Sequence, residues 1–520
     1  MKHLIVCCDG TWNTLAQREF GLPAPTNVVK FHNALAAADR NGDRQMKYYH
    51  PGIGTEGGFW ERYTGGAFGS GLDRHVRAAY QWLAMNYEPG DRIYLIGFSR
   101  GAYTARSVGG MISRRGLLNL RGMEWNAGEQ QVERVFRAYR ETAELRDDDL
   151  LFNNLDEDGR AAGNTPIRLI GVWDTVGSLG IPLELSITKR LVDHNANRFH
   201  DTTLGLCVEH ARHAVALDEI RQTFAPTLWK ENGKTDLRQL WFPGVHGDVG
   251  GGYSRCDLSD GTLLWMMREA ADVGLAFRWD PHTDHSQPGA RLRPDPRGVL
   301  HDSVEGYFKN RRTRPRAVPD MGSETRDSVF HDSAVTRHLD PALDQETYWE
   351  TRTADPSGAI RSDIFARDPW NPTGVFLRAG VEYEFAARGE WFDDGIRADP
   401  AGKVLGGSLW QRAVREAGTA FGLAERLASA IFGPHTDWPY TRRQEDLPWM
   451  ALVGLVANGV TLGGKTTAQE NMPWHEIFLI GTSTRFTPKE DGYLYCFAND
   501  AWNTHGNNHG AVELTVRKLS

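Results

Sequence analysis

The feature that most constrains the fold is an alternation of short apolar runs with helix-like stretches in the first half of the chain. LIVCCDG is followed by NVVKFHNALAAA, and RIYLIGFS is followed by AYTARSVGGMI. Two further apolar runs, IRLIGVWDT (167–175) and LRQLWFPGVHGD (237–248), have polar residues beside glycine at their ends. Such alternation predicts an α/β fold with a mostly parallel sheet and flanking helices. In that fold, ligand and catalytic groups gather where the strands end.

The pattern changes after residue 350 and predicts a β-sandwich. Four segments there have the character of strands: VEYEFA (381–386), MALVGLVANG (450–459), GYLYCFA (492–498) and VELTVR (512–517). Between them, apolar residues recur near helical spacing over 409–432, which predicts an inserted helix with one apolar stripe. We therefore expect two domains, an α/β domain over 1–345 and a β-sandwich domain over 346–520.

The charge balance argues against one class of partner. With 59 basic and 67 acidic residues, the formal net charge is -8, whereas nucleic-acid-binding proteins concentrate excess Lys and Arg on one face. No run approaches the roughly 18 apolar residues that a membrane span needs. The start, MKHLIVCCDG, has an apolar run too short for a secretory signal. We expect no nucleic-acid partner, and synthesis in the cytoplasm without a Sec-type signal.

Two local features are consistent with peripheral contact with a membrane. The basic run KNRRTRPR at 309–316 offers arginines that each contribute at most about 1 kcal/mol near an anionic surface. The helix predicted over 409–432 would add apolar burial if its stripe faced outward. The alternative is that this helix packs on its own domain.

In the stretch LIGFSRGAYTAR, Ser99 lies between Gly97 and Gly101, immediately after an apolar run. This G-x-S-x-G pattern, delivered by a strand and followed by a helix, exposes the serine hydroxyl at the edge of a sheet. The alternative is a small residue at a tight turn. The partners of the serine must decide between the two.

A nucleophilic serine needs a histidine base, and that histidine needs a carboxylate to orient it. Asp174 and His246 occur in the chain order Ser, Asp, His, and both lie where predicted strands open into glycine-containing loops. Asp248 is the rival carboxylate, and His301 is the reserve base. We predict a catalytic triad of Ser99, Asp174 and His246, which needs no cofactor for catalysis.

The oxyanion formed by such a serine needs two backbone N–H groups. One belongs to the residue after the nucleophile, Arg100, and the other belongs to a loop near the first strands. The segment CDGTWN offers Gly10 or Thr11. We predict an oxyanion hole made by Thr11 and Arg100.

Five motifs, taken in chain order, resemble the uncharacterised α/β-hydrolase domain family whose best-known members are type VI secretion phospholipase effectors. They are DGTWN, GGAFGSGLDRHVRAAYQWL, PGDRIYLIGFSRGAYTAR, GVWDTVG and FPGVHGDVGGGY. The resemblance covers roughly residues 1–340. It implies an α/β-hydrolase core, ester hydrolysis of glycerophospholipids, and export by a type VI system to the periplasm of a target cell.

The end of the chain is similar to the calcium-dependent galactose-binding lectin of the PA-IL type. The matching motifs are WFDDG (391–395), NDAWNTHGNN (499–508) and a final strand AVELTVRKL. The resemblance implies a Ca²⁺ site of hard oxygen ligands formed by Asp394, Asp500, Thr504, Asn507 and Asn508. It also implies a galactose-like glycan held at Asp500 and Asn507. Asp394 stands where the lectin has a tyrosine.

These observations predict a serine esterase with a lectin-like β-sandwich that docks or targets it. Two alternatives are a carbohydrate-binding adhesion module whose hydrolase domain is inactive, and an esterase that acts on acylated glycans.

Overall fold

A computed structural model describes most of the chain. The described residues are 1–10, 17–52, 68–141, 150–154, 165–176, 203–283, 291–305, 308–309, 311–343, 345, 347–405, 442–459 and 475–519. Within them, no helix has the length and apolarity needed to span a bilayer. The helix predicted over 409–432 lies outside the described residues.

The first half of the chain contains a six-stranded parallel sheet. Its strands are β1 (Lys2–Cys8), β4 (Arg44–His50), β5 (Arg92–Phe98), β6 (Ile167–Trp173), β7 (Val208–Ala216) and β8 (Asp236–Phe242). Their order is β4-β1-β5-β6-β7-β8, and every neighbouring pair is parallel. The central strands β1, β5 and β6 are buried on both faces, which explains why they read as continuous apolar runs. A short hairpin of β2 (Arg18–Glu19) and β3 (Leu22–Pro23) follows β1 in the chain.

Helices cover both faces of this sheet, as the alternation predicts. They are α1 (Asn27–Ala34), α2 (Phe68–Asn86), α3 (Arg100–Arg115), α4 (Trp125–Glu141), α5 (His246–Gly250), α6 (Asp257–Asp272), α7 (Arg326–Val329) and α8 (Asp332–Leu339). Leu95 of β5 packs in one buried cluster with side chains of α2, α3 and α4. The next residue, Ile96, packs in a second cluster with side chains of α1 and α6. Adjacent residues of one strand therefore anchor the two helical layers.

The second half of the chain is a β-sandwich, as the sequence predicts. Its strands are β9 (Ile360–Phe365), β10 (Asn371–Leu377), β11 (Tyr383–Asp393), β12 (Ile396–Ala398), β13 (Leu452–Ala457), β14 (Glu476–Leu479), β15 (Ser483–Phe486), β16 (Gly492–Ala498) and β17 (Asn508–Lys518). One sheet has the order β10-β16-β13-β14; the other has the order β12-β11-β17-β9, with β15 beside β11. Phe385 and Trp391 from one sheet share a buried cluster with Leu494 from the other.

The sandwich also packs on the α/β half. Along β16, Leu494 and Cys496 point into the sandwich core, whereas Tyr493, Tyr495 and Phe497 belong to a cluster shared with side chains of β7 and β8. This sheet is therefore buried on both faces, which explains the uninterrupted apolar character of GYLYCFA. The predicted domain boundary at residue 345 stays a prediction. Residues from both sides of it form this common cluster.

Candidate active site

Ser99 lies at a sharp turn between β5 and α3. Its backbone has φ 56° and ψ -121°, a region that non-glycine residues rarely adopt and that costs conformational free energy. The N–H of Ser99 donates to the carbonyl oxygen of Trp173 at 3.1 Å. This strained turn from strand to helix is typical of a nucleophile elbow.

The two glycines of the motif are required by close backbone contacts. A Cβ on Gly97 would lie 2.4 Å from the carbonyl oxygen of Gly101, and a Cβ on Gly101 would lie 2.1 Å from that of Cys8. Contacts this short would force the backbone to move. The G-x-S-x-G spacing therefore allows the start of α3 to pack against the end of β1.

The sheet register brings the predicted acid to the serine. Phe98 pairs with Trp173, so Ser99 and Asp174 each follow one member of a registered pair. Asp174 also has a positive φ, 36°, and its N–H donates to the carbonyl oxygen of Ala214 at 2.7 Å. Because parallel strands end at one edge of the sheet, both residues occupy that edge.

His246 completes the group as the first residue of α5, just beyond the end of β8. Its Nδ1 lies 2.6 Å from Oδ2 of Asp174, and both side chains are buried. The His246 ring packs against Phe98, the residue before Ser99, with 4.6 Å between ring centroids, and against Phe224 at 4.9 Å. A carboxylate on Nδ1 fixes the tautomer and leaves Nε2 to act on another group.

The environment of His246 favours its neutral form. Burial lowers the pKa of His246 below its ordinary value of 6.5, and the hydrogen bond and charge of Asp174 oppose this shift only in part. The backbone N–H of His246 donates to Glu219 at 3.2 Å. Glu219 is itself fully buried and paired with Arg221. A neutral imidazole can accept a proton, as a general base must.

Arg316 is a member of this group that the sequence analysis missed. Its two terminal nitrogens donate to the two carboxylate oxygens of Asp174, at 2.7 and 2.9 Å. Asp174 Oδ1 also accepts the N–H of Ala216 at 2.9 Å. Burial alone would raise the pKa of Asp174, but the charge and hydrogen bonds of Arg316, together with His246, hold that pKa well below its ordinary range.

The expectation that Arg316 contacts a lipid surface is therefore wrong. Only 5% of the residue is exposed, because its guanidinium donates to Asp174 and to the carbonyl oxygens of Ala216 and Phe224. No signal in KNRRTRPR distinguishes this arginine from its neighbours, since its partner lies 142 residues away in the chain.

Asp248 and His301, the rival acid and the reserve base, form a second pair. Nδ1 of His301 lies 2.5 Å from Oδ1 of Asp248, and the His301 ring stacks on Tyr253 at 3.9 Å. Asp248 also accepts the backbone N–H of Val245 at 3.1 Å. Asp248 thus binds the start of α5 and His301, whereas His246 bonds to Asp174.

The structure describes part of the predicted oxyanion hole. Arg100 is the first residue of α3, and its backbone therefore lies at the positive end of that helix. Thr11 lies outside the described residues. The loop before it is held by Asp9, whose carboxylate accepts the N–H of Gly10 and the hydroxyls of Thr26 and Tyr49 at 2.7–2.8 Å. Burial raises the pKa of Asp9 to about 6, although these hydrogen bonds oppose the shift.

The residues predicted to bind metal also lie together, in the sandwich. Oδ2 of Asp500 accepts the Thr504 hydroxyl and the Asn508 amide, both at 3.0 Å. The Asn507 amide donates to Asp393 at 2.5 Å, and the N–H of Asp394 donates to the carbonyl oxygen of Asn507 at 3.3 Å. The side chain that meets Asn507 is thus that of Asp393, the residue before the predicted Asp394.

Two features of this cluster fit a cation. Oδ1 of Asn508 is buried and has no hydrogen-bond partner among the described residues. Burial, followed by the charge of Asp500, raises the pKa of Asp393 to about 6. An unpartnered amide oxygen beside two mutually repelling carboxylates is the kind of donor set that Ca²⁺ prefers.

The parallel sheet, the strained serine turn and the carboxylate–histidine pair at the strand ends define an α/β-hydrolase fold. The chain belongs to the family described as "T6SS, Phospholipase effector Tle1-like, catalytic domain", which matches residues 2–269. The resemblance predicted from the five motifs is confirmed for the α/β half.

Similarity to individual proteins is partial. The Saccharomyces cerevisiae "Uncharacterized protein YEL023C" is 33% identical over 242 residues, which are 43% of this chain and 32% of that protein. The chain thus matches about a third of the length of this relative. A solved "Tle1 effector bound to the VgrG spike" is 15% identical, covering 49% of this chain and 51% of that one, with a TM-score of 0.30. A "PllA-like lectin", the EclA N-terminal domain, is 13% identical, covering 31% of this chain and 95% of that one, with a TM-score of 0.19.

The Asp174–Arg316 pair predicts a specific loss of stability. Replacing Arg316→Met leaves a buried carboxylate without its partner, so we expect the free energy of unfolding at neutral pH to fall by about 3–5 kcal/mol in urea titrations. Arg297→Met is the matched control, because it removes an arginine from an exposed pair with Asp340. The control should unfold like the wild type.

The difference in stability between the wild type and Arg316→Met should depend on pH in a defined direction. Because the pKa of Asp174 is depressed in the folded state, its contribution is present above the ordinary value of 3.8 and is lost as the pH falls through the folded value. An Arg316→Met variant with wild-type stability at neutral pH would show that the pair contributes nothing.

Proposed function

We propose that the chain is a serine esterase that hydrolyses acyl esters of glycerophospholipids. The observation that carries the proposal is the Asp174–His246 hydrogen bond, which lies at the strand ends next to the Ser99 turn. Membership of the Tle1-like phospholipase effector family supports the lipid substrate. It also supports the proposal that a type VI system delivers the protein to a target cell.

In the proposed mechanism, Nε2 of His246 takes the proton of the Ser99 hydroxyl as Oγ attacks the ester carbonyl carbon. The N–H groups of Arg100 and Thr11 stabilise the oxyanion of the tetrahedral intermediate. His246 then gives the proton to the leaving alcohol, a lysophospholipid, and the acyl group remains on Ser99. Water, deprotonated by His246, attacks the acyl-enzyme and releases the fatty acid.

Asp174 supports these steps without taking up a proton itself. Its carboxylate orients the imidazole and stabilises the imidazolium formed in each step. Arg316 acts through Asp174 as a positioning residue, since its guanidinium fixes both carboxylate oxygens. An inactive hydrolase fold attached to an adhesion module has no need for this buried charged group, so we favour the enzyme.

We also propose that the sandwich binds Ca²⁺ and, through it, a galactose-like glycan. Asp393, Asp500, Asn507 and Asn508 offer side-chain oxygens to the ion, with Thr504 and the Asp394 position beside them. A bound calcium would supply a positive charge and open coordination positions for sugar hydroxyls. In that arrangement Asp500 and Asn507 contact the sugar, and the esterase is concentrated on surfaces that carry such glycans.

The first prediction from the proposed function concerns the triad. Ser99→Ala and His246→Ala should each lower the turnover of phospholipid vesicles by at least about 10³-fold, because triad members act as a unit. Asp174→Asn should be comparably impaired, whereas Asp248→Asn should lose much less. Release of fatty acid and lysophospholipid, followed by mass spectrometry, measures both products. Greater damage from Asp248→Asn would reassign the acid to the Asp248–His301 pair.

The second prediction concerns pH. The rate depends on neutral His246, so it should fall as the pH drops through the pKa of that residue. Because burial lowers this pKa, kcat/KM for a soluble short-chain ester should have its acidic limb below 6.5. The pH–rate profile measures this directly. A limb above 6.5 would mean that another group controls the rate.

The third prediction concerns calcium. An ion that binds only the native site stabilises it by RT ln(1 + [L]/Kd), about 2.7 kcal/mol at a hundredfold excess over Kd. Melting curves of the full chain in calcium and in chelator should therefore separate, and Asp500→Asn should remove the difference. Asp363→Asn, at an exposed carboxylate of β9, should retain it. Superimposed wild-type curves at millimolar calcium would refute the metal site.

A further inference from the structure

The hairpin β2–β3 has an unusual tip. Its two turn residues are Phe20 and Gly21, with φ values of 46° and 81°, the positive-φ pair of a tight hairpin turn that normally favours Asn-Gly. A bulky aromatic residue with positive φ is a true outlier. Phe20 is also 95% exposed, so its ring gains almost no burial within the chain in return for this strained backbone.

The chain next to Phe20 extends the apolar surface and adds a cation. Leu22 is 59% exposed, and Pro23 is exposed beside it. The Arg18 guanidinium closes the turn through a hydrogen bond to the carbonyl oxygen of Gly21 at 2.7 Å. An apolar tip with an arginine at its base has the composition of a surface that enters the boundary between lipid headgroups and acyl chains.

The hairpin is anchored beside the candidate active site. The Gln17 amide donates to the carbonyl oxygen of Gly252 at 3.3 Å, and the N–H of Ser254 donates to Glu19 at 2.6 Å. Gly252 and Ser254 belong to the loop that directly follows α5, the helix that His246 begins. The exposed tip is therefore joined by two hydrogen bonds to the loop next to the proposed base.

We propose that this hairpin is a membrane-contacting wedge that inserts Phe20 and Leu22 into the phospholipid surface holding the substrate. The proposal rests on the proposed phospholipase function, because an esterase with such a substrate must take an acyl ester out of a bilayer. Insertion gives the exposed ring the apolar surroundings that it lacks within the chain, and Arg18 then meets the phosphates. Strained backbone conformations cluster at functional sites, and the positive φ of Phe20 fits a role of this kind.

Phe20→Asn is the variant that separates lipid contact from folding. Asparagine adopts positive φ readily, so the turn keeps its conformation and the melting temperature should not fall. Phe20→Trp restores an aromatic side chain suited to the membrane interface. Phe365→Ala is the matched control, because Phe365 is a half-exposed phenylalanine at the end of β9 in the sandwich.

Two measurements test the proposal on the full-length chain. Flotation with vesicles of ether-linked phosphatidylethanolamine and phosphatidylglycerol measures binding to lipids that no esterase can cleave. Initial rates on the ester-linked vesicles and on a soluble short-chain ester then separate membrane contact from chemistry.

We expect Phe20→Asn to lower both vesicle binding and vesicle turnover by at least about tenfold, because the variant loses the phenyl group that the wild type buries in the lipid. Its rate on the soluble ester should be unchanged, Phe20→Trp should regain binding, and Phe365→Ala should match the wild type. Wild-type vesicle binding by Phe20→Asn would overturn the wedge. A wild-type chain that cleaves neither ester would instead refute the proposed function, and the flotation result would still decide the role of the hairpin.

Discussion

The buried ion pair between Asp174 and Arg316 is the interaction on which the rest of this site depends. An uncompensated carboxylate in the protein interior costs several kcal/mol, and Asp174 is completely buried. Two guanidinium nitrogens, the N–H of Ala216 and Nδ1 of His246 surround it. The carboxylate stays charged in this setting, and a charged acid is what a neighbouring imidazole needs to become a cation during catalysis.

The segment that carries Arg316 is held from both halves of the chain. The Trp370 indole donates to the Thr313 hydroxyl at 2.9 Å, and Nε2 of His475 donates to the carbonyl oxygen of Pro315 at 2.8 Å. On the other side, the N–H of Arg314 donates to the carbonyl oxygen of Ile220 at 2.5 Å. The sandwich therefore supports the position of Arg316 and, through it, of Asp174. This arrangement gives the second half a structural role in addition to any binding of sugar.

Local patterns predicted the parts of this molecule that local chemistry determines. The strand ends, the serine turn and the grouping of Asp174 with His246 follow from runs of apolar residues interrupted by polar residues and glycine. Arg316 was not predictable, because a buried arginine in a basic run differs from a solvated one only through a partner 142 residues distant. The resemblance to the lectin implied Asp394 as a ligand, whereas the strand pairing of β11 with β17 brings Asp393 opposite Asn508.

The central claim is that Asp174 and His246 activate Ser99, and covalent labelling tests it most directly. A fluorophosphonate reacts with an activated serine, and peptide mass spectrometry locates the adduct. The account predicts one rapid adduct on Ser99 in the wild type, and very slow labelling of Ser99 in His246→Ala when that variant is shown to be folded. Equal labelling rates in the two proteins, or an adduct on another residue, would contradict the account.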